Sequence, residues 1–212
     1  MQIFIKKNNL STKKVKIVTV TKNQNINIIE QSILLGIKEF GENYIQESIF
    51  KIQKLKKYKN IIWHFIGKLQ SNKTKLVAQN FDWCQTIDRE KIAVLLNQYR
   101  PTHLLPINVL MQINISKQTK KNGVNINKYE KLAKIISVMP NLNFRGIMAM
   151  PEIKKNIINN DAQYIKLKII FSQLRRKYPS VDTLSLGTSV DIKQSLIADS
   201  NMIRIGRKIF NK

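Results

Sequence analysis

The strongest constraint on the fold of this chain is a regular alternation of strand-like and helix-like segments between residues 15 and 206. Runs such as VKIVTVT at 15–21 and NVLMQINI at 108–115 are rich in β-branched and other apolar residues, as in buried strands. Eight strands are predicted, at 15–21, 40–42, 61–67, 81–87, 108–115, 144–150, 181–187 and 201–206. Helices are predicted at 25–40, 44–58, 71–80, from Asp88 onward, and at 127–138, 161–177 and 191–198, with Ser71 or Asn72 capping the third.

Strands that alternate with helices favour a parallel sheet. Eight such repeats that close on themselves form a (β/α)8 TIM barrel, and an open, doubly wound sheet is the alternative. A chain of 212 residues is long enough to bury a substantial core, and no Gly-, Pro- or Ser-rich linker divides it. We therefore expect a single barrel domain over residues 1–212.

The strongly basic composition is the second notable feature, with 37 Lys and Arg against 13 Asp and Glu, a formal charge of +24. Such a charge raises nucleic-acid binding as a hypothesis. However, Lys, Ile and Asn together fill 86 of the 212 positions, and these residues share A/T-rich codons. The lysines are also scattered rather than clustered. We therefore expect no specific nucleic-acid partner.

The sequence also bears on the compartment. No stretch of 18 uncharged apolar residues predicts a transmembrane helix, and the start MQIFIKKNNL is too short to serve as a signal peptide. The single cysteine, Cys84, excludes an internal disulfide framework and a multi-cysteine zinc site. We expect a cytoplasmic protein with no metal site and no membrane contact.

Candidate functional residues follow the first three predicted strands, where the active site of a barrel forms. Lys22 comes directly after the first strand. An inward-pointing lysine at the rim loses hydration and becomes nucleophilic, although Lys22 could equally be one of many solvated lysines. Asn43 ends the second strand. His64, inside the third, is either a pocket residue or a hydrogen-bonded core histidine.

The last two predicted strands suggest a phosphate site, which in barrels commonly lies at the seventh and eighth loops. LSLGTS at 184–189 supplies the hydroxyl of Ser189, and IRIGRKIF at 203–210 places Gly206 at a helix start. Arg204 lies inside the last strand and needs an acceptor, because a buried unpaired charge is costly. A rim lysine, a phosphate cradle and an interior arginine suit pyridoxal 5′-phosphate (PLP). No nucleotide-binding fingerprint competes.

Several motifs resemble those of the pyridoxal phosphate homeostasis protein family. They run in order along almost the whole chain: VTK at 20–22, FGENYIQE at 40–47, WHFIGKLQSNK at 63–73, FDWCQTID at 81–88, NVLMQINIS at 108–116, RGIMAMP at 145–151, DTLSLGTS at 182–189 and MIRIG at 202–206. The resemblance implies a barrel like the N-terminal domain of alanine racemases. It also implies a Schiff base between PLP and Lys22. By the same resemblance, Ser189, Gly206 and the backbone after it hold the phosphate, Arg204 faces the pyridine nitrogen, and Asn43 and His64 lie near the cofactor.

The resemblance further implies PLP binding and homeostasis without turnover, and thus no catalytic residue. An arginine beside the ring nitrogen leaves that nitrogen unprotonated and weakens the electron sink, and the family lacks the second racemase domain with its tyrosine base. Apo forms of PLP-dependent enzymes are candidate partners, and a monomer is expected. The alternative is a weak single-domain PLP-dependent enzyme, such as an amino-acid racemase.

Several positions depart from the family pattern, and two of them lie near the expected phosphate site. Thr188 stands where methionine is usual, and Arg207 stands where a small hydroxyl residue normally follows Gly206. The second departure removes one neutral donor from the expected phosphate site. We expect the charge of Arg207 to replace that donor, because charge-assisted hydrogen bonds are stronger than neutral ones.

Overall fold

The computed structural model describes residues 15–116, 122–152 and 160–210. Its strands are β1 (Lys16–Val20), β2 (Glu39–Glu42), β3 (Ile62–Phe65), β4 (Trp83–Ile87), β5 (Ile107–Asn114), β6 (Val124–Asn125), β7 (Leu142–Ala149), β8 (Thr183–Ser185) and β9 (Met202–Ile205). Its helices are α1 (Ile26–Leu34), α2 (Ile45–Lys54), α3 (Thr74–Asn80), α4 (Glu90–Tyr99), α5 (Tyr129–Ser137), α6 (Asn160–Lys177), α7 (Ile192–Ile197) and α8 (Arg207–Phe210).

Eight of these strands form a closed parallel barrel. β1 pairs with β2 on one edge and with β9 on the other, and the pairing of β4 with β5 completes the circle. The two-residue β6 pairs with Ile113 and Asn114 of β5, beyond the point where β4 ends. Closure confirms the predicted (β/α)8 barrel and excludes the open, doubly wound sheet.

Two apolar layers result from the alternation of side chains along the strands. Inside the barrel, five buried residues pack together: Val18, Trp83, Leu110, Met148 and Met202. A much larger cluster, which includes Phe40, Phe65 and Leu96, fills the space between the strands and the surrounding helices. Because each fully buried side chain of this size contributes roughly 1.5–3 kcal/mol, this outer layer is the main apolar contribution to stability.

Three local expectations from the sequence were wrong. Helix α1, expected to continue to residue 40, ends at Leu34, because Gly36 turns the chain with a φ of +87°. The predicted caps Ser71 and Asn72 instead form a 3-10 turn with Lys73, and α3 begins without a side-chain cap. Strand β6 was not expected, since two residues leave no pattern. Across the described ranges, no helix is both long and apolar enough to cross a membrane.

Candidate functional site

The carboxyl-terminal rim of the barrel brings most of the predicted site residues together. All barrel strands are parallel, so their carboxyl ends meet at one rim. Neighbouring strands β3, β2, β1, β9 and β8 lead into Gly67, Asn43, Lys22, Gly206 and Ser189, respectively. We call these five residues, together with Arg207, the rim arc. It covers one continuous side of the opening.

Lys22 lies in a turn directly after β1, and its side chain is exposed. The amine is therefore accessible to solvent rather than dehydrated by an inward-pointing side chain. The ends of β1 and β9 approach closely here. A Cβ atom added to Gly206 would lie 3.2 Å from the carbonyl oxygen of Val20 and 3.3 Å from its Cβ. Glycine at 206 thus lets β9 end close against the strand that leads to Lys22.

Asn43 has unused hydrogen-bonding capacity. Its Oδ1 atom is buried and has no hydrogen-bond partner among the described residues. The end of β3 presses against it, since a Cβ added to Gly67 would come within 2.1 Å of the Asn43 carbonyl oxygen. A buried acceptor left unpaired costs about 1–3 kcal/mol. A ligand that donates a hydrogen bond to Asn43 would recover that cost.

Hydrogen bonds to Asp191 fix the loop after β8, and Ser189 of this loop contacts the start of α8. The amide and hydroxyl of Thr188 donate to Oδ1 of Asp191 at 2.7 and 2.6 Å, and the hydroxyl of Tyr164 donates to its Oδ2 at 2.7 Å. Ser189 is buried, and its Oγ accepts from the amide of Lys208 at 3.3 Å. Since that oxygen accepts, the hydroxyl hydrogen of Ser189 remains for donation to a ligand.

Arg207 is the first residue of α8 and directly follows Gly206. Its side chain is exposed, and within the described part of the chain it forms no hydrogen bond or ion pair. The guanidinium therefore remains available, which is compatible with the predicted contact to a phosphate.

Arg204 points into the barrel and obtains its acceptors from the protein. Its Nη1 donates to the carbonyl oxygen of Ser185 at 2.9 Å and to the hydroxyl of the same residue, and its Nη2 donates to the carbonyl oxygen of Ala149 at 3.0 Å. Burial lowers the pKa of Arg204 to about 10, against the opposing charge of Asp191. The guanidinium is therefore still a cation at neutral pH, although the acceptor expected from a ligand is already present in part.

From Ser185 the hydrogen bonds continue across the barrel. The Ser185 hydroxyl donates to Oε1 of Gln85 at 2.8 Å, and Nε2 of Gln85 donates to Nδ1 of His64 at 3.0 Å. Nε2 of His64 then faces Oε2 of Glu39 at 2.5 Å, and Lys16 lies 3.1 Å from the other oxygen of Glu39. We call Arg204, Ser185, Gln85, His64 and Glu39 the interior chain. Each link of the interior chain pairs a donor with an acceptor if His64 is neutral and carries its proton on Nε2.

The surroundings of His64 support the neutral form. The ring is fully buried and stacks on Trp83 with 5.3 Å between centroids. Burial lowers the pKa of His64, against the opposing effect of Glu39. Burial would raise the pKa of Glu39, but its hydrogen bond with His64 and the charge of Lys16 lower it overall. The structure thus places His64 as a hydrogen-bonded core histidine, and its predicted contact with a ligand stays a prediction.

Sequence reasoning missed Gln85, Ser185 and Glu39. A signal did exist for two of them, because Gln85 and Ser185 are polar residues inside runs predicted to be buried strands. A buried polar side chain needs a partner, so their presence there indicates a polar contact across the barrel. Glu39 precedes the predicted second strand and gave no such signal.

Comparisons with known proteins identify the family to which this chain belongs. A family model described as alanine racemase, N-terminal domain, matches residues 5–211, which defines the class of barrel. A pyridoxal phosphate homeostasis protein of Buchnera aphidicola subsp. Schizaphis graminum is 64% identical over 210 residues, covering 99% of this chain and 92% of the relative. The Escherichia coli K12 protein of the same name is 41% identical over 202 residues, covering 94% and 86%. The chain belongs to the pyridoxal phosphate homeostasis protein family.

Solved structures show the same fold. PipY of Synechococcus elongatus, 24% identical, covers 99% of this chain and 98% of its own, with a TM-score of 0.88 without PLP and 0.85 with PLP bound. Alanine racemase of Corynebacterium glutamicum, 14% identical, has a TM-score of 0.71, covering 93% of this chain and 56% of the racemase. At these identities the likeness establishes the barrel and nothing finer.

Proposed function

We propose that this chain binds PLP at the rim arc, as a Schiff base on Lys22, and acts in cytoplasmic PLP homeostasis without turnover. The observation that carries the proposal is the convergence of Lys22, Asn43, Ser189, Gly206 and Arg207 on one side of the rim. The names of its relatives and the PLP-bound PipY structure support the choice of ligand. Bound PLP supplies an aldehyde, which condenses with an amine and releases water.

Each residue of the arc has a distinct role in this proposal. The exposed amine of Lys22 is the covalent anchor. The hydroxyl of Ser189, the backbone at Gly206 and the cation of Arg207 hold the phosphate. Asn43 offers its unpartnered oxygen to a donor on the ligand. Arg204 faces the pyridine nitrogen from inside the barrel, as the resemblance implies.

Two features support binding without turnover. Arg204 is still protonated at neutral pH, so it can donate a hydrogen bond to the ring nitrogen, but its pKa of about 10 makes it too weak an acid to protonate that nitrogen. An unprotonated ring is a weaker electron sink. In addition, neither histidine offers a free ring nitrogen at the arc. His64 is bonded inside the barrel, and His103 precedes β5, at the opposite rim.

A PLP titration tests the proposal. The purified protein should develop an absorbance band near the visible edge, and Lys22→Ala should lose the band while its circular dichroism stays unchanged. Lys68→Ala is the matched control, because Lys68 is also exposed and follows β3, two strands from β1, at the same rim. An unchanged band in Lys22→Ala would refute the assignment. Racemisation of amino acids that depends on Lys22 would instead establish the enzyme alternative.

The proposed partners are PLP itself and apo forms of enzymes that use it, with the chain acting as a monomer. Mixing the loaded protein with an apo-enzyme should activate that enzyme, whereas the Lys22→Ala protein treated in the same way should not. Sedimentation should give the mass of one 24.7 kDa chain. Binding to duplex DNA should be no tighter than non-specific, micromolar or weaker at physiological salt.

A further inference from the structure

A cluster of buried charges lies directly under the turn that carries Lys22. At its centre is Lys51 of α2, whose side chain is only 3% exposed. Its Nζ contacts the carbonyl oxygen of Thr21 at 2.6 Å, Oε1 of Glu42 at 2.8 Å and Oε1 of Glu47 at 2.5 Å. An ammonium group has three N–H donors, so these acceptors use all of them. We call Thr21, Glu42, Glu47 and Lys51 the turn cluster.

The two carboxylates of the turn cluster also bind the turn itself. Oε1 of Glu42 accepts from the hydroxyl of Thr21 at 2.6 Å, and Oε1 of Glu47 accepts from the amide of Asn23 at 2.7 Å. Glu42 is fully buried, and burial raises its pKa against the lowering effect of Lys51 and Thr21. The turn cluster therefore fixes the backbone at Thr21 and at Asn23, the residues on either side of Lys22.

The turn fixed by these contacts contains an unusual backbone conformation. Asn23 has a φ of +61°, a left-handed conformation that is uncommon for residues other than glycine. Such conformations persist where surrounding contacts determine them. Buried ion pairs contribute little net stability, because desolvation offsets the attraction. A buried lysine with two carboxylates is thus poorly explained by stability alone and better explained by the backbone it fixes.

We infer that Lys51, Glu42 and Glu47 are positioning residues for Lys22. They hold its backbone so that the free amine points toward the rim opening, which lowers the entropic cost of meeting an aldehyde there. This inference rests on the proposed function. It also assigns different roles to Lys51 and Lys22. Lys51 is buried with every N–H engaged, whereas the side chain of Lys22 is exposed.

Glu47 offers the cleanest test, because its side chain is 28% exposed and its loss leaves Lys51 still paired with Glu42. Glu47→Ala removes the acceptor for the Asn23 amide, and Glu47→Gln keeps an oxygen there and should restore function. The matched control is Glu30→Ala on α1. It breaks the ion pair between Oε1 of Glu30 and Nζ of Lys57, which are 2.8 Å apart. Lys51→Met is less suitable, since it leaves Glu42 buried without its cation.

Two readouts are measured. Hydrogen exchange of the Asn23 amide in the ligand-free protein should speed up about fivefold or more in Glu47→Ala, the effect of losing one hydrogen bond. The rate at which added PLP becomes fixable on Lys22 by borohydride should fall about fivefold in the same variant. Glu47→Gln should recover most of both effects, and Glu30→Ala should show neither.

Faster exchange at Asn23 with an unchanged rate of PLP attachment would overturn the inference, because the turn would then be held for stability only. Equal effects in Glu47→Ala and Glu30→Ala would also overturn it. If the wild-type protein forms no borohydride-fixable product with PLP, the proposed function fails first. That result is distinguishable from failure of the positioning role, which requires a wild-type protein that does bind.

Discussion

The interior chain and the rim arc belong to the same barrel but differ in how fully their polar groups are used. In the interior chain, each link from Arg204 to Glu39 has a protein partner. In the rim arc, Lys22 and Arg207 are exposed and the buried Oδ1 of Asn43 has no partner among the described residues. The difference indicates that the interior chain and the rim arc have different roles. The links of the interior chain are satisfied by the protein itself, whereas the rim arc keeps polar groups available for a ligand.

The two regions meet at Arg204, whose guanidinium begins the interior chain and lies on the strand that leads to Gly206. A substitution in the interior should therefore act first on stability, and through Arg204 on the ligand. A substitution in the rim arc should act on the ligand and leave stability almost unchanged. The following predictions test this contrast.

Gln85→Leu should have the largest effect on stability. It leaves the hydroxyl of Ser185 without an acceptor and Nδ1 of His64 without a donor, both inside the barrel. Each unsatisfied buried group costs about 1–3 kcal/mol, so the free energy of unfolding in urea should fall by about 2–6 kcal/mol. Lys22→Ala, at an exposed position, should change it by less than about 0.5 kcal/mol. Similar losses in the two variants would remove the contrast between the regions.

His64 should stay neutral with its proton on Nε2. Its charged or titratable neighbours are Glu39, Lys16 and Asp82, and burial outweighs their combined effect and lowers its pKa. Because the folded pKa lies below the unfolded one, the unfolded chain binds more protons. Stability should therefore fall as pH drops below about 6.5. Nitrogen-15 spectra should show one imidazole that does not titrate there, with exposed His103 as the second signal. A proton on Nδ1 instead would contradict this prediction, because it would exchange donors and acceptors along the interior chain.

Arg207→Thr should have the smallest effect, on the ligand alone. If the guanidinium contributes to holding the phosphate, PLP retention should weaken by about threefold or less and become less sensitive to salt, because a charge-assisted contact is exchanged for a neutral one. Release during dialysis at low and high salt measures both. Clearly tighter retention in Arg207→Thr would identify the arginine as a tolerated loss rather than a ligand.

The sequence was sufficient to predict the barrel and the position of the rim residues, because both depend on the strand pattern. A residue that directly follows a strand, such as Lys22 or Asn43, must lie at the carboxyl rim once the strands are parallel. The turn cluster could not be predicted in the same way. Lys51 is one of 30 lysines, and although Glu47 precedes it by one turn on the same helix, Thr21 and Glu42 reach it only through the packing of α2 against the ends of β1 and β2.

The direction in which a side chain points could not be predicted from the sequence either. His64 lies on a strand whose alternation allowed either a core or a pocket position, and its bonds to Gln85 and Glu39 decide for the interior. The end of α1 was missed because Ile37 continues the helical spacing of apolar residues and packs on the core from the connection that follows.

The most direct test of the central claim is to reduce the PLP-loaded wild-type protein with borohydride and to map the modified peptide by mass spectrometry. The chain has 30 lysines, and one of them, Lys68, follows β3 at the same rim. We predict that the reduced cofactor is found on Lys22 and on no other lysine. Modification mainly on Lys51 or Lys68, or spread over many lysines, would contradict the assignment of the rim arc as the PLP site.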